Sequence, residues 1–456
     1  MTLNSFIDKF KIERGYTPRI GFVGLGISNL ALASRLSGVN ITARDRRITD
    51  RTRLLSINAN RVIEGENYLD GIDEDILVLS PSIRRDIPEI SNAMRRGSVV
   101  TSDAELYFLD SAGRDRLVTG SDGKSTTATL AALLLKESDP DIAAIGNIGV
   151  PFSSYGGKGA VAELSSFQLS YITPRSKAAI ITTITPNHLN WHSSLDEYID
   201  AKLNIARETE RLILSPDTPL EAKLLSTLRP KTVYSIIYPL RALTEMAPFA
   251  DDYYTLEDGA ISHNGKRLIA ISELARQEKH NVHNLMGAIA LATWEFSPAH
   301  LKRVASEFHG LEHRMEKFLT YNGVDFINSS IDTTPARTRA TLDALGRPTR
   351  IILGGGAKGL SIRPIIPSLS EHATRIALYG DAGKQYLGEL NEGGMADGEK
   401  IRLFKEFDGA LKFILEGLSP GDTVLLSPAA TGYGEFKDFA ERGKHFKDHI
   451  KKLYSK

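Results

Sequence analysis

The run Thr119-Gly120-Ser121-Asp122-Gly123-Lys124-Ser125-Thr126-Thr127 stands between the apolar pair Leu117-Val118 and an alanine- and leucine-rich stretch over 125–136. A buried strand, a glycine turn and a helix in that order commit the surrounding chain to an α/β unit, because the segment that returns such a strand to a parallel sheet is a helix. The loop lacks the full Gly-x4-Gly-Lys-Ser spacing, since Val118 occupies the first glycine position. Its two glycines still allow consecutive backbone N–H groups to turn toward phosphate oxygens. Lys124 brings positive charge to them, and the Ser125 hydroxyl stands at a helix start where it can hold Mg²⁺. The plainer alternative is a glycine turn capped by serine. Gly120, Ser121, Asp122, Gly123, Lys124, Ser125 and Thr126 are the phosphate-binding candidates.

The same rhythm occurs on both sides of this loop. Arg19–Val23 reads as a strand ending in Gly24-Leu25-Gly26, followed by helical spacing over 29–36, and Ile76–Leu79 reads as a second buried strand stopped by Ser80-Pro81. Ala160–Ala162 and Ala178–Ile184 read as further strands, and 281–295 as a helix. The pattern restarts after Gly310 with Val324–Asn328, Arg350–Leu353, Ile376–Tyr379 and Thr423–Leu426. With 456 residues, the reading is three consecutive α/β domains, 1–112, 113–309 and 310–456: Rossmann-like, P-loop ATPase-like and Rossmann-like.

Composition narrows the chemistry. Lys+Arg and Asp+Glu are both 56, so no basic field points to nucleic acid or an anionic membrane. The absence of cysteine excludes disulfides, cysteine-ligated metals and thiol nucleophiles. No stretch of about 20 apolar residues is present. A soluble, cytoplasmic, monomeric protein with small-molecule partners is expected.

Several other positions carry chemistry. Gly24-Leu25-Gly26-Ile27-Ser28-Asn29, with Asp45 downstream, resembles a dinucleotide fingerprint whose third glycine is Asn29. A diphosphate near the turn and a carboxylate reaching a ribose or base fit it; a ligand-free turn or a nicotinamide cofactor are the alternatives. Glu163 and His188 each follow a buried strand, where α/β ligands bind. Taken singly, the first reads as a surface carboxylate and the second as a structural histidine. Lys202 lies in an amphipathic stretch where a lysine is solvated by default. Asn281 and Asn284, about one helical turn apart, suit base recognition.

Together these motifs resemble the Mur ligase superfamily. The phosphate loop, Gly146-Asn147-Ile148-Gly149-Val150-Pro151, Glu163–Leu169 and Pro186–Asn190 stand in family order. They are followed by His280–Asn284, Gly310–Arg314, Leu353–Gly359 and Leu426–Ala429, so the resemblance spans essentially the whole chain. It implies ATP-dependent amide ligation, with D-glutamate joined to UDP-N-acetylmuramoyl-L-alanine through an acyl phosphate in peptidoglycan precursor synthesis. It also implies two Mg²⁺ ions organised by Ser125, Glu163, His188 and an N-carbamylated Lys202. Lys124, Glu163, His188 and Lys202 would be catalytic. Asn281, Asn284, Arg314 and Asp332 would contact the nucleotide. Ile27, Ser28, Asp45, Arg46, Ser80 and Pro81 would hold the UDP half of the substrate, and Asn147 and Gln168 its muramoyl-alanine end. Thr333, Lys358, Ser427, Gly432, Tyr433 and Phe439 would receive the amino acid, with the third domain closing over the reacting centre.

The chain also departs from the family pattern. Asn328–Thr334 reads Asn-Ser-Ser-Ile-Asp-Thr-Thr, with Ser329 and Ile331 where an acid and a lysine are usual, and Asp332 as a substitute ribose contact. Gly432 stands where a serine is expected, and Glu278 replaces a glycine before His280. A sister ligase with another acceptor and a catalytically silent nucleotide-binding relative are the competing readings.

Overall fold

A computed structural model describes residues 3–46, 48, 57–189, 191–214, 233–238, 252–357, 359–395 and 398–454. Lys358 and Asn190 lie outside the described residues. The chain divides into two compact units, Met1–Phe308 and His309–Lys456.

The first unit holds two large sheets. Strands β1 (Arg19–Val23), β2 (Asn40–Asp45), β3 (Arg61–Glu64), β4 (Ile76–Leu79) and β5 (Val99–Thr101) form a parallel sheet in the order β3-β2-β1-β4-β5. The order reverses between β1 and β4, which opens a crevice at their C-terminal ends, where Gly24 and Ser80 lie. The Ser80 N–H donates to the Val23 carbonyl at 2.8 Å, fixing the two strand ends together.

The second sheet contains β6 (Arg116–Thr119), β7 (Ala144–Gly146) and β8 (Val161–Glu163). A small ribbon of β9 (Arg175–Ser176) and β11 (Glu208–Thr209) flanks β10 (Ala178–Ile181) in sequence. Next come β12 (Arg211–Leu214), β13 (Val233–Tyr238), β14 (Asp252–Glu257), β15 (Ala260–His263) and β16 (Lys266–Ala270). The order is β16-β15-β14-β13-β12-β10-β6-β8-β7, parallel except for the β14-β15-β16 meander. Consecutive residues of β6 face opposite ways. Val118 joins Ile180 and Ile213 under the helices Lys124–Leu135 and Lys279–Ala292, whereas Leu117 joins Ile181, Leu212 and Tyr198 on the other face. Each fully buried Leu or Ile there stabilises the unit by about 1.5–3 kcal/mol, which explains why these strands read as continuous apolar runs.

The second unit has β17 (Glu316–Tyr321), β18 (Val324–Asn328), β19 (Thr349–Gly354), β20 (Ala373–Tyr379), β21 (Ile401–Phe404) and β22 (Thr423–Leu426), in the order β17-β18-β22-β19-β20-β21. Only the β17–β18 pair is antiparallel among these. The architecture is α/β with three predominantly parallel sheets in succession. Among the described residues no helix is long and apolar enough to cross a membrane.

Two elements stop earlier than their apolar patterns. The strand at 178–184 ends at Ile181 because the next residues turn to hold the phosphate loop: the Thr182 hydroxyl donates to the Asp122 carbonyl at 2.5 Å, and the Ser121 N–H to the Thr183 carbonyl at 2.7 Å. The helix at 281–295 runs Lys279–Ala292 and is closed by Thr293 and Trp294 in left-handed conformations, φ 47° and 64°.

Candidate active site

The loop after β6 is shaped by its glycines. Gly120 has φ 149° and a Cβ there would lie 1.9 Å from Thr182 Oγ1; Gly123 has φ 79° and a Cβ would lie 2.3 Å from Asn284 Oδ1. Only glycine meets both demands. Gly123 forms the N-cap of the helix Lys124–Leu135 without a side-chain cap, leaving that helix end to a bound anion.

Lys124 and Lys202 converge on this loop. Lys124 Nζ donates to the carbonyls of Gly120 and Ser121 at 2.9 and 2.8 Å, and Lys202 Nζ donates to the Gly120 carbonyl at 2.7 Å. Lys202 is 2% exposed and lies over the Tyr198 ring at 4.7 Å, so the solvated lysine expected by default is a buried one. Helix Leu195–Leu203 turns its Tyr198, Lys202 and Leu203 inward together. Burial first, and the neighbouring Lys124 charge second, push the Lys202 ammonium well below its usual range.

The Ser125 hydroxyl donates to Glu163 Oε2 at 2.7 Å, and Glu163, at the end of β8, is buried. Two oxygens on one octahedral Mg²⁺ are separated by about 2.9 Å, so this hard oxygen pair at the loop mouth fits the ion. His188 is exposed with φ 55°, and its ring packs edge-on against Phe167 at 4.9 Å, four residues beyond Glu163. Ser121 is used differently. Its hydroxyl bridges the Thr185 carbonyl at 2.9 Å and Tyr198 Oη at 2.7 Å, so the side chain braces the loop from behind. The Asp122 N–H is taken by Thr183 Oγ1 at 2.9 Å. Thr126 follows in the first helical turn.

Asn284 lies against Gly123 and accepts from the Thr127 hydroxyl at 3.4 Å. Asn281 donates its amide to Glu278 at 3.0 Å. The departure at 278 thus orients one of the two asparagines.

At the first sheet's crevice, the Leu25 N–H donates to Asp45 Oδ2 at 2.5 Å, tying the glycine turn to the end of β2. Ile27 is 61% exposed, Arg46 pairs with Glu66 at 2.5 Å, and Ser80 Oγ is 3.3 Å from Ser82 Oγ; Pro81 stands half-buried between them. Asn147 is exposed and donates its N–H to the Glu163 carbonyl at 3.2 Å. Gln168 is buried, its Oε1 accepting from the Ser165 N–H at 2.9 Å in a capping box. Arg84 spans from this sheet to the second one, pairing with Glu197 at 3.0 Å and stacking on Trp191 at 4.8 Å, while the Trp191 indole donates to the Ser82 carbonyl at 2.9 Å.

Beside Ser28 lies the buried Asp103. Burial raises its carboxyl to about 6, with the Ser28 and Ser153 groups and Arg35 opposing only in part. The folded state therefore holds a proton that the unfolded chain releases near 3.9, and this stabilisation is lost as pH rises through 6. Asp103→Asn is expected to raise stability at pH 8 by about 1–2 kcal/mol and to leave it unchanged at pH 4. Thermal unfolding at the two pH values measures it, and a destabilised variant at pH 8 contradicts it.

In the second unit, Arg314 is exposed. Asp332 is 5% exposed and its Oδ2 accepts from the Thr341 and Ser427 hydroxyls at 2.7 and 2.8 Å. Both Asp332 and Ser427, expected to face ligands, have their side chains turned into the domain because neighbouring hydroxyls satisfy them there. The Thr333 N–H donates to the Ile331 carbonyl at 2.8 Å. A Cβ at Gly432 would lie 2.4 Å from the Asp438 carbonyl oxygen, so the loop that folds back on this position has no room for the expected serine. Tyr433 and Phe439 are half-buried beside it, and the Phe439 carbonyl accepts from Ser330 Oγ at 2.7 Å.

Sequence reasoning missed Arg442. Its fully buried guanidinium donates to the carbonyls of Ser330, Ala430 and Thr431 at 2.9, 3.1 and 2.8 Å, pinning the loops after β18 and β22. An arginine within the charged helix Phe439–Tyr454 gives no local sign of that role.

Residues 118–292 match the Mur ligase middle domain and residues 313–430 the glutamate ligase domain of Mur ligases. A UDP-N-acetylmuramoylalanine--D-glutamate ligase of Symbiobacterium thermophilum is 32% identical over 455 residues, covering 95% of this chain and 98% of the relative. The enzyme of that name from Acetivibrio thermocellus is 33% identical, covering 99% of both chains. Among solved structures, the UDP-N-acetylmuramate-alanine ligase MurC of Thermotoga maritima aligns with a TM-score of 0.57 at 20% identity, covering 96% of this chain and 100% of its own. MurF of Acinetobacter baumannii aligns with a TM-score of 0.55 at 17% identity, covering 91% and 92%.

Proposed function

The chain belongs to the Mur ligase family, and from that membership we propose that it joins D-glutamate to the alanyl carboxylate of UDP-N-acetylmuramoyl-L-alanine. It is an ATP-dependent ligase of peptidoglycan precursor synthesis. The observation that carries the reading is the convergence of Lys124, Lys202 and the Ser125–Glu163 pair on one glycine loop. The acceptor follows the names of the relatives.

A carboxylate needs activation before an amine can attack it, because its oxygen is a poor leaving group. Phosphorylation by ATP gives an acyl phosphate, and attack of the glutamate amine expels inorganic phosphate. The Gly120–Thr126 loop holds the phosphates, Lys124 neutralises the charge developing on the transferred group, and Asn281 and Asn284 hold the base. Bound at Ser125 and Glu163, Mg²⁺ would screen the phosphate charge and orient the γ-phosphoryl group. The buried Lys202 amine, with its proton affinity lowered, is suited to take up CO₂ as a carbamate; with His188 it would then serve a second ion. Ile27, Ser28, Asp45, Arg46, Ser80 and Pro81 hold the UDP half, and Asn147 and Gln168 the alanyl end. Arg314 contacts nucleotide. We take residues 1–112, 113–309 and 310–456 as the domains for sugar nucleotide, ATP and amino acid. A single chain carries every group invoked, and we take a cytoplasmic monomer as the working unit.

The acceptor is tested by kcat/KM for D-glutamate, L-glutamate, D-aspartate and D-lysine, read as phosphate release. D-glutamate is expected to lead. Gly432 lacks the serine hydroxyl, and one hydrogen bond to a charged group contributes about 1.5–3 kcal/mol; discrimination among acidic amino acids is expected to be correspondingly weaker than in a serine-bearing site. Preference for any of the other three overturns the acceptor and spares the ligase. Lys358→Ala is expected to raise KM for the amino acid far more than KM for ATP.

A further inference from the structure

Outside this machinery, two histidines one helical turn apart meet a carboxylate in the second unit. His445 and His449 stand at i and i+4 of the helix Phe439–Tyr454, and Asp408 lies in the first turn of the helix Phe407–Leu415. His445 Nε2 is 2.7 Å from Asp408 Oδ1, and one ligand atom from each of the three residues lies within 4.8 Å of the others.

We propose that Asp408, His445 and His449 form a binding site for a divalent transition-metal ion of the zinc class, which clips the two helices together.

Three observations support it. Histidines at i and i+4 project from one helix face and chelate a single ion, as in helical zinc motifs. The His445 ring is packed edge-on by Phe407 at 5.8 Å and by the tilted ring of Phe436 at 5.4 Å, centroid to centroid, so the ligand is oriented before an ion arrives. A further carboxylate stands beside the cluster: Glu435 accepts the N–H of Phe407, the residue before Asp408, at 2.9 Å. Ligands on tetrahedral zinc stand about 3.3 Å apart, and the three ligand atoms here already lie within 4.8 Å of one another. Two imidazoles with one carboxylate favour zinc, nickel or copper over Mg²⁺, which selects oxygen donors. A second three-residue group among the described residues of this unit, Glu312, His313 and Glu316, differs in already containing a cation: Lys447 Nζ pairs with Glu312 at 2.5 Å and Glu316 at 2.7 Å.

The test uses the untagged full chain, stripped with a chelator and titrated with Zn²⁺ by calorimetry and thermal unfolding. One ion per chain and a raised unfolding midpoint are expected, both absent from the double variant His445→Gln/His449→Gln, whose ATP-dependent phosphate release stays at the parental rate. Asp408→Asn is expected to weaken Zn²⁺ by about tenfold, and Mg²⁺ to produce no shift that depends on these residues. No binding by the parent, or undiminished binding by the double variant, overturns the site. Undiminished binding by Asp408→Asn overturns the three-ligand set.

Discussion

Replacing Lys124 with alanine is expected to reduce ATP-dependent turnover by about 10³-fold or more, about 4 kcal/mol of transition-state stabilisation. Its ammonium donates to the Gly120 and Ser121 carbonyls at 2.9 and 2.8 Å, at the place where the loop would surround phosphate. The charge is therefore positioned before the substrate binds, and no reorganisation is needed as negative charge builds on the transferring group. The fold should survive. Residue 124 opens the helix Lys124–Leu135, alanine is the best helix former, and the side chain belongs to neither apolar core. Phosphate release measured with saturating substrates, beside a far-ultraviolet spectrum and an unfolding midpoint, separates lost chemistry from lost structure. Turnover within about tenfold of the parent sinks the phosphate-site assignment.

Lys202→Ala is expected to lose about 10²-fold or more in turnover, and short carboxylates such as acetate or formate should restore part of it. The reason is burial: a 2% exposed ammonium beside Lys124 is costly to keep charged, whereas the neutral amine can react with CO₂, releasing one proton and leaving an anionic carbamate. Such a carbamate offers the oxygen that Mg²⁺ prefers, and an exogenous carboxylate can fill its place once the side chain is removed. Deleting Lys202 also removes one of the two ammonium donors to the Gly120 carbonyl, leaving the 2.9 Å bond from Lys124, a cost of about 0.5–1.5 kcal/mol in stability. The rescue experiment distinguishes that effect, because a carboxylate cannot replace the donor. Intact mass gives a second readout, with depletion of CO₂ expected to lower activity and bicarbonate to restore it. A fully active enzyme carrying unmodified lysine rules the modification out.

Much of the site could be read along the chain because local rules create it. A strand, a glycine turn and a helix over 116–135 need only neighbouring residues, and the positive φ of Gly120 and Gly123 follows from the turn itself. Strand ends such as Glu163 and Ser80 were locatable because apolar runs stop where polar groups emerge. The positions of Asp45 and Asn284 rested on motif order, which carries no distance; tertiary packing brought the first to the Leu25 N–H and the second against Gly123.

The direction in which a side chain points is decided by partners far away in sequence. Lys202 looked like a solvated residue of an amphipathic helix until the helix was laid against a loop 82 residues earlier. Ser121 turned its hydroxyl to Tyr198, 77 residues on, and Asp332 accepted from Ser427, 95 residues on; both side chains serve as internal braces. Asp408 and His445 met across 37 residues with no motif to announce them. By itself the sequence determined the order of strands, turns and helices, since backbone propensity and apolar period act over a few residues. The tertiary structure alone decided which polar groups face the phosphate loop and which face the core, because a buried polar group takes whatever partner the packing brings to it.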